Sequence, residues 1–282
     1  MNLNFAGRTA FVTGAANGIG LSICRALARR GTNIALADIE DEPLERARSE
    51  LSETGVKVAS FVVDVTDAAT FEEIAGEIDR RMGPIHFLFN NAGVALKTAP
   101  VWELKPSDWD WVLGVNVLGV VNGLRAFVPG MIRHGEGGHI VNTASIGGLQ
   151  VNPAVRNGSY AASKYAVVAL SESLVFDLEG TGIGVSLLCP GVVATTLERS
   201  SERRPDRLGG PSASSSGLSD RFKRAAMSPD LVGERILDAM LANEFFVFTH
   251  EDGQGRIIER HERILAGFHA CRNYIRDRAQ AK

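Results

Sequence analysis

Residues 9–20 read TAFVTGAANGIG. The first five are small, apolar or β-branched and carry no charge, as suits a strand buried on both faces. Gly14, Gly18 and Gly20 follow, and behind them Ile19, Ile23, Leu27 and Ala28 recur at helical spacing. Strand, glycine-rich turn and helix in that order make the opening of a parallel crossover unit. The glycines let backbone approach a pyrophosphate, and the helix start near Gly18 offers unpaired N–H groups and the positive end of a dipole. A glycine pattern alone also serves as a plain structural turn. Its place at the first crossover points to a dinucleotide, held along Gly14, Asn17, Gly18, Ile19 and Gly20.

Outward from this turn the pattern repeats. NIALAD (33–38), KVASFVVD (57–64), IHFLFNNAG (85–93), HIVNTAS (139–145), GVSLLCPG (184–191) and FFVFT (245–249) bring the expected strands to seven. Helices are expected over 43–53, 68–81, 107–134 (strained near Pro129) and 159–178. Alternating strands and helices predict an α/β fold, a doubly wound parallel sheet in a single domain over residues 1–252. Residues 198–217 are rich in Arg, Ser, Gly and Pro and are expected in a loop or lid over about 195–227. Residues 253–282 form an expected helical extension. Its Ile257, Ile258, His261, Ile264, Leu265 and Phe268 predict docking on the main domain or on a partner subunit.

The bulk numbers exclude several classes. The 282 residues are 45% hydrophobic and 22% charged, and 30 basic against 33 acidic side chains leave a net charge of −3. That balance argues against nucleic acid or an anionic membrane as partner. Apolar runs break within about ten residues, short of a span. The start, MNLNFAGRTAFVTG, does not read as a signal peptide, so the cytoplasm is expected. Cys24, Cys189 and Cys271 are odd in number and far apart, so no disulfide framework is expected. The six histidines show no ligand-like spacing with Cys, Asp or Glu, and no metal is expected.

Asp38 ends the second strand, where a carboxylate accepts from ribose hydroxyls and repels a 2′-phosphate. With no arginine at position 17 or 39, NAD is expected over NADP. Asp64, after the third strand, is placed to reach the adenine amino group, and Asp67 to cap the next helix. Tyr160 and Lys164 lie one helical turn apart. A phenol titrates near 10, and a fixed ammonium beside it lowers that value toward useful acid/base work. Ser145 follows the fifth strand and belongs at the same sheet edge, within reach of a substrate oxygen. Taken singly, the tyrosine–lysine pair also fits a solvated helix face, and the serine a turn.

Taken together, these motifs resemble the short-chain dehydrogenase/reductase family over about residues 5–250. The matching residues are Thr13-Gly14-x-x-x-Gly18-Ile19-Gly20, Asp64, Asn90-Asn91-Ala92-Gly93, Asn116, Ser145, Tyr160-x-x-x-Lys164, and Pro190-Gly191 with Thr195. The resemblance implies a Rossmann-type fold and a secondary alcohol or ketone as substrate. It implies Tyr160 as acid/base, and Lys164 on the nicotinamide ribose. It implies Ser145 on the substrate carbonyl, and Asn116 holding a relay water. Asp64, Val65, Asn91, Ala92, Gly93, Pro190, Gly191, Val193 and Thr195 would contact the cofactor or support its site. It also implies a homodimer or homotetramer, built through helices 107–134 and 159–178. The Ser145–Tyr160 spacing of fifteen is longer than the family's commonest, which should reshape the pocket around Leu149–Gly158.

Leu96, Val101, Trp102, Leu149, Val151 and Val155 are the expected pocket walls and predict a hydrophobic or aromatic substrate. The middle and C-terminal segments resemble bacterial dehydrogenases of the benzylic Cα alcohol in lignin-derived aryl ethers. Arg199, Arg203, Arg204 and Arg207 are expected to be solvated or to meet an acidic group. Two other readings stay open: an NADP-dependent carbonyl or 3-oxoacyl reductase, and a non-catalytic dinucleotide-binding regulator.

Overall fold

The computed structural model describes residues 3–96, 99–212 and 226–280. Among them seven strands form one sheet: β1 (Thr9–Thr13), β2 (Asn33–Asp38), β3 (Val58–Val62), β4 (Ile85–Asn90), β5 (Gly138–Thr143), β6 (Ile183–Cys189) and β7 (Phe246–Phe248). Their order is β3-β2-β1-β4-β5-β6-β7, with every neighbouring pair parallel. The chain order reverses between β1 and β4, which makes the fold doubly wound and opens a crevice at their carboxyl ends. The helices α1 (Gly18–Arg29), α2 (Asp41–Ser52), α3 (Ala68–Met82), α4 (Pro106–Leu113), α5 (Gly119–His134), α6 (Gly158–Asp177) and α7 (Pro229–Ala242) flank this sheet.

Strands buried on both faces explain the unbroken apolar runs. Every residue of β1, β4, β5 and β6 is buried. One core cluster includes Val12, Ile23, Leu27, Phe87, Leu188 and Ile236; a second includes Phe11, Phe71, Leu88, Phe127 and Ile140. Alternate residues of one strand thus feed opposite faces.

Three features depart from the sequence expectation. The helix across 106–134 is interrupted at Gly114–Leu118 by a π turn, so its irregularity lies around Asn116, and Pro129 sits within regular helix. The same Pro106–His134 stretch, whose most apolar 18 residues have a mean hydropathy of 1.5, is long and apolar enough to cross a membrane, contrary to the short-run reading. It buries Trp111, Val112, Val120, Phe127 and Met131 and is a core helix. Helix α7 was not expected; it begins with Ser228 capping the Asp230 N–H and Pro229 in the first turn. It buries Val232, Ile236, Leu237 and Met240.

The chain divides into two units, Met1–Thr249 and His250–Lys282. The second consists mainly of α8 (Gln254–Gln280), in which no described residue is buried. Ile258, Ile264, Leu265 and Phe268 stand exposed along it.

A buried polar chain braces the sheet. Asn90 donates to Asn142 (2.9 Å), Asn142 to Ser171 (3.0 Å), and Ser171 to the Val167 carbonyl (2.7 Å). Gly123 of α5 packs directly over Asn90; a Cβ there would lie 2.1 Å from Asn90 Oδ1. Gly123→Ala is therefore expected to cost about 1–3 kcal/mol through overpacking against a bonded group. Urea unfolding should show a lowered midpoint with an unchanged slope.

Candidate active site at the carboxyl edge of the sheet

The glycine turn after β1 has the conformation its residues require. Gly14 and Gly18 have φ of +65° and +55°, where side chains are disfavoured. A Cβ on Gly14 would lie 2.9 Å from the Ala92 Cα, and one on Gly20 2.0 Å from the Gly14 carbonyl oxygen. Asn91 holds this turn from β4: its Nδ2 donates to the carbonyls of Thr13 (3.1 Å) and Gly14 (3.3 Å). Thr13, the first residue of the glycine motif, accepts at Oγ1 from the N–H groups of Asn91 and Ala92, both at 3.0 Å.

Asp38 sits beside the turn. Its carboxylate accepts from the N–H of Ala16 (3.0 Å) and of Glu40 (3.2 Å), and burial raises its pKa. Asn17 makes no cap to α1; its Oδ1 accepts from the Thr196 hydroxyl at 3.0 Å. Asp64 accepts from the N–H and hydroxyl of Thr66 at 3.0 and 2.7 Å, and pairs with Arg207. Asp67 caps α3 as expected. Val65 is buried, and its carbonyl accepts from Asn122 at 2.9 Å.

The chemistry-bearing residues converge where β4, β5 and α6 meet. Lys164 is buried and donates from Nζ to the Thr143 carbonyl at the end of β5 (2.8 Å). Its Nζ lies 5.7 Å from the centre of the Tyr160 ring. Ser145 Oγ accepts from the Gly147 N–H (3.1 Å) and lies 3.5 Å from the Pro190 carbonyl. A hydrogen bond with Ser145 lowers the Tyr160 pKa, but burial outweighs it and raises the phenol above its ordinary value. Burial pushes the Lys164 ammonium down to about 8. The sequence reading had the ammonium lowering the phenol. In the structure, desolvation dominates both groups.

Asn116, in the π turn, accepts at Oδ1 from the Val94 N–H (2.8 Å) and donates to the Val94 carbonyl (3.0 Å) and Ser163 Oγ (2.9 Å). Both amide hydrogens are thus used. Ser163, to which the sequence reading assigns no role, donates onward to the Tyr160 carbonyl at 2.7 Å. It lies within the Tyr160–Lys164 turn, and its neighbours alone were the available signal. Gly93 fits between: a Cβ there would be 3.3 Å from Lys164 Nζ and 3.4 Å from Asn116 Oδ1.

Downstream of β6, the Gly191 N–H donates to Thr249 (3.1 Å), and Val193 bridges in parallel to Met227. Thr195 packs against Gly18. The described part of the expected lid, up to residue 212, is largely turns of 3₁₀ helix; residues 213–225 lie outside the described residues. Its four arginines each hold a carboxylate: Arg199 on Glu202, Arg203 on Glu40, Arg204 on Asp108 and Arg207 on Asp64. Arg204 is buried, so the solvated reading does not hold for it. The long Ser145–Tyr160 segment returns to the loop after β4, where the Ala99 N–H donates to the Arg156 carbonyl (2.8 Å) and Ala99 bridges Asn157.

Sequence spacing hid one cluster. His86, His134 and Glu136 meet near the amino ends of β4 and β5. Every ring nitrogen there has a partner: His86 with Glu136 (3.0 Å) and the Thr9 N–H (3.4 Å), His134 with the Ile85 carbonyl (3.0 Å) and the Glu136 N–H (3.1 Å). It is a hydrogen-bonded brace on the far side of the sheet from the crevice.

The family model described as short chain dehydrogenase matches residues 8–206. A 1-deoxy-11-beta-hydroxypentalenate dehydrogenase of Streptomyces avermitilis is 35% identical over 88% of this chain and 87% of its own. A C alpha-dehydrogenase of a Sphingobium species is 34% identical over 73% and 67%. Among solved structures, a short chain dehydrogenase/reductase from Burkholderia phymatum in complex with NAD superposes with a TM-score of 0.87 at 35% identity, covering 94% of this chain and 96% of that one. A metagenomic short-chain oxidoreductase in complex with NADP gives 0.68 at 27% identity, covering 88% and 97%. With its parallel sheet, glycine cradle and Ser145–Tyr160–Lys164 cluster, the chain belongs to the short-chain dehydrogenase/reductase family, oxidoreductases that act on CH–OH groups with a nicotinamide dinucleotide.

Proposed function

We propose that this chain is an NAD-dependent dehydrogenase that interconverts a hydrophobic or aromatic secondary alcohol and its ketone. The observation that carries the reading is the convergence of Tyr160, Ser145 and a buried Lys164 beside the glycine cradle. The cradle fits a dinucleotide, because Gly14 and Gly20 draw the turn onto Ala92 and onto the start of α1 with no side chain between, and the N-terminus of α1 carries no side-chain cap where a pyrophosphate would bind. Bound there, the nicotinamide would supply the hydride acceptor or donor. Tyr160 moves the proton at the substrate oxygen, and the Ser145 hydroxyl orients that oxygen. Lys164, fixed by Thr143, holds the ribose and supplies positive charge toward the phenol. Asn116 acts as a positioning group that fixes the Val94 backbone beside them.

NAD is favoured by Asp38, whose carboxylate borders the ribose side of the cradle. Arg46, Arg199 and Arg203 line a cavity of about 510 Å³ with Ala16, Asn17 and Glu40. Each is already paired with a glutamate, so the positive charge a 2′-phosphate needs is neutralised. Val101, Trp102, Val151 and Val155 are exposed in the two loops beside the site, and Leu96 and Leu149 of the same loops are half-buried. This apolar rim supports an aromatic substrate, in line with the resemblance to Cα-dehydrogenases. The three free cysteines agree with a cytoplasmic location.

Cofactor reduction with NAD and NADP, across secondary alcohols that include benzylic aryl ethers, tests the reading. Tyr160→Phe should lower turnover at least about a hundredfold while NADH binding stays near normal. Asp38→Ala should erode the preference for NAD. Turnover unchanged in Tyr160→Phe would remove the assigned acid/base.

Lys164 ties activity to a stability cost. Its ordinary value is 10.5, and the folded value is about 8. Below pH 8 the ammonium is buried at full cost. Between 8 and 10.5 the folded lysine is neutral while the unfolded one is still charged, so stability rises with pH. Lys164→Met should abolish turnover and raise stability at pH 7 by about 1–3 kcal/mol, after loss of the Thr143 bond. The gain should shrink as pH rises through that window, measured by thermal melts at pH 7, 8.5 and 10.

Assembly through the two central helices is part of the reading. Leu118 lies between α4 and α5 and is exposed, as are Val175 and, at 76%, Phe176 of α6. Light scattering should give a dimer or tetramer of the 30.2 kDa chain. Phe176→Asp should shift it toward one chain; a monomeric wild type would refute the assembly.

A further inference from the structure

We propose that residues 197–208 form a strap that recognises the adenosine end of the cofactor, with Arg207 as the roof of the adenine seat. The proposal rests on the cofactor reading above.

Arg207 pairs with the Asp64 carboxylate and donates to Thr66 Oγ1 at 2.6 Å. The other Asp64 oxygen is held by the N–H and hydroxyl of Thr66. Asp64, Thr66, Asp67 and Arg207 line a cavity of about 380 Å³. One edge offers a carboxylate, which suits an exocyclic amine. One wall offers a guanidinium, whose plane stacks on aromatic rings. A purine with an amino group satisfies both; a phosphate or a carboxylic acid would meet Asp64 and Asp67 and be repelled.

The strap grips a second adenosine-side turn. Arg203 pairs with Glu40, two residues beyond Asp38, and donates to the Thr196 carbonyl at 3.2 Å. The Thr196 hydroxyl bonds Asn17 in the glycine turn. The strap also holds the substrate side. Ser200 Oγ accepts from the Ala95 N–H at 2.9 Å, and buried Arg204 pairs with Asp108 of α4 at 2.6 Å. One short segment thus joins the ends of β2 and β3 to the loop that borders the substrate. Its arginines are far in sequence from the strand ends they read, so inspection of positions 17 and 39 misses them.

The test compares NADH with reduced nicotinamide mononucleotide, which carries the reacting ring and lacks adenosine. Both are titrated by fluorescence into wild type, Arg207→Leu and Arg207→Lys. The expected result is a roughly five- to tenfold weaker Kd for NADH in Arg207→Leu, partial recovery in Arg207→Lys, and an unchanged Kd for the mononucleotide. That unchanged value also shows that the variant is folded. An NADH affinity that is unchanged or tighter in Arg207→Leu overturns the proposal; tighter binding would mean that Arg207 competes with adenine for Asp64. A wild type that binds neither compound overturns the cofactor reading itself, and the strap with it.

Discussion

The close approach of the β1 turn to the end of β4 is the constraint on which the site depends. Gly14 and Ala92 meet backbone to backbone, and Gly20 tucks under the Gly14 carbonyl. Asn91 ties the contact with its side-chain amide, and Thr13 returns it with its hydroxyl. These are the two strands between which the chain order reverses. Elsewhere in the sheet, neighbouring strands lead into helices that cover the gap between them. Here α1 and the chain after β4 leave to opposite faces, and the crevice stays open. A side chain on either glycine would push the turns apart and close the approach a pyrophosphate needs. The same Asn91 also accepts from Thr143 at the end of β5, 3.3 Å away. The cradle is thereby registered against the strand whose last carbonyl holds Lys164.

Around that strand end the protein keeps an unusual density of buried polar groups. Asn116, Ser163 and Lys164 are all buried, and Asn90, Asn142 and Ser171 lie in the same layer. Unpaired, each would cost about 1–3 kcal/mol; here they are joined into chains that end on backbone carbonyls. Lys164 is the member whose charge remains costly. A fully screened ammonium would sit nearer its ordinary value and would exert less field at the phenol. The low dielectric that penalises the charge is also what makes it felt over the distance to Tyr160. The costly member of the network is the one that lies beside the proposed acid/base, Tyr160.

Much of this was legible because it obeys short periods. Seven strands were readable from continuous apolar runs, and the cradle from three glycines behind the first. Tyr160, Lys164 and Ser145 were readable from their order along the chain, since each follows a strand end. What was not legible has identifiable causes. Helix α7 follows a segment of turn-forming residues, and its start signal, Ser228-Pro229-Asp230, reads as a continuation of that break. The π turn at Asn116 leaves no compositional trace: Gly114–Leu118 reads as ordinary helix, and the bonds from the Asn116 side chain to the Val94 backbone join residues twenty-two apart. The arginine partners were unreadable because each ion pair with Glu40, Asp64 or Asp108 closes about a hundred residues or more of chain.

The segment between Ser145 and Tyr160 shows how chemistry and specificity are kept apart. Its first residues form a tight turn in which the Gly147 and Gly148 N–H groups donate to the Ser145 hydroxyl and carbonyl, and its last lead straight into α6 under Tyr160. The added length lies between, and it bonds outward, from Arg156 and Asn157 to Ala99. Ala99 belongs to the loop after β4 that carries Val101 and Trp102. A Cβ on Gly158 would lie 2.3 Å from Val101, so the two walls touch at the foot of α6. The candidate catalytic groups hang on strand ends and on the first turn of a helix, where backbone hydrogen bonds fix them. The apolar walls meet each other at the Ala99–Asn157 bridge and at Gly158 against Val101. Val151, Val155 and Trp102 are exposed and belong to these walls, apart from the bonds that hold Ser145 and Lys164. The family's constant reaction and this chain's own pocket are carried by different sets of bonds.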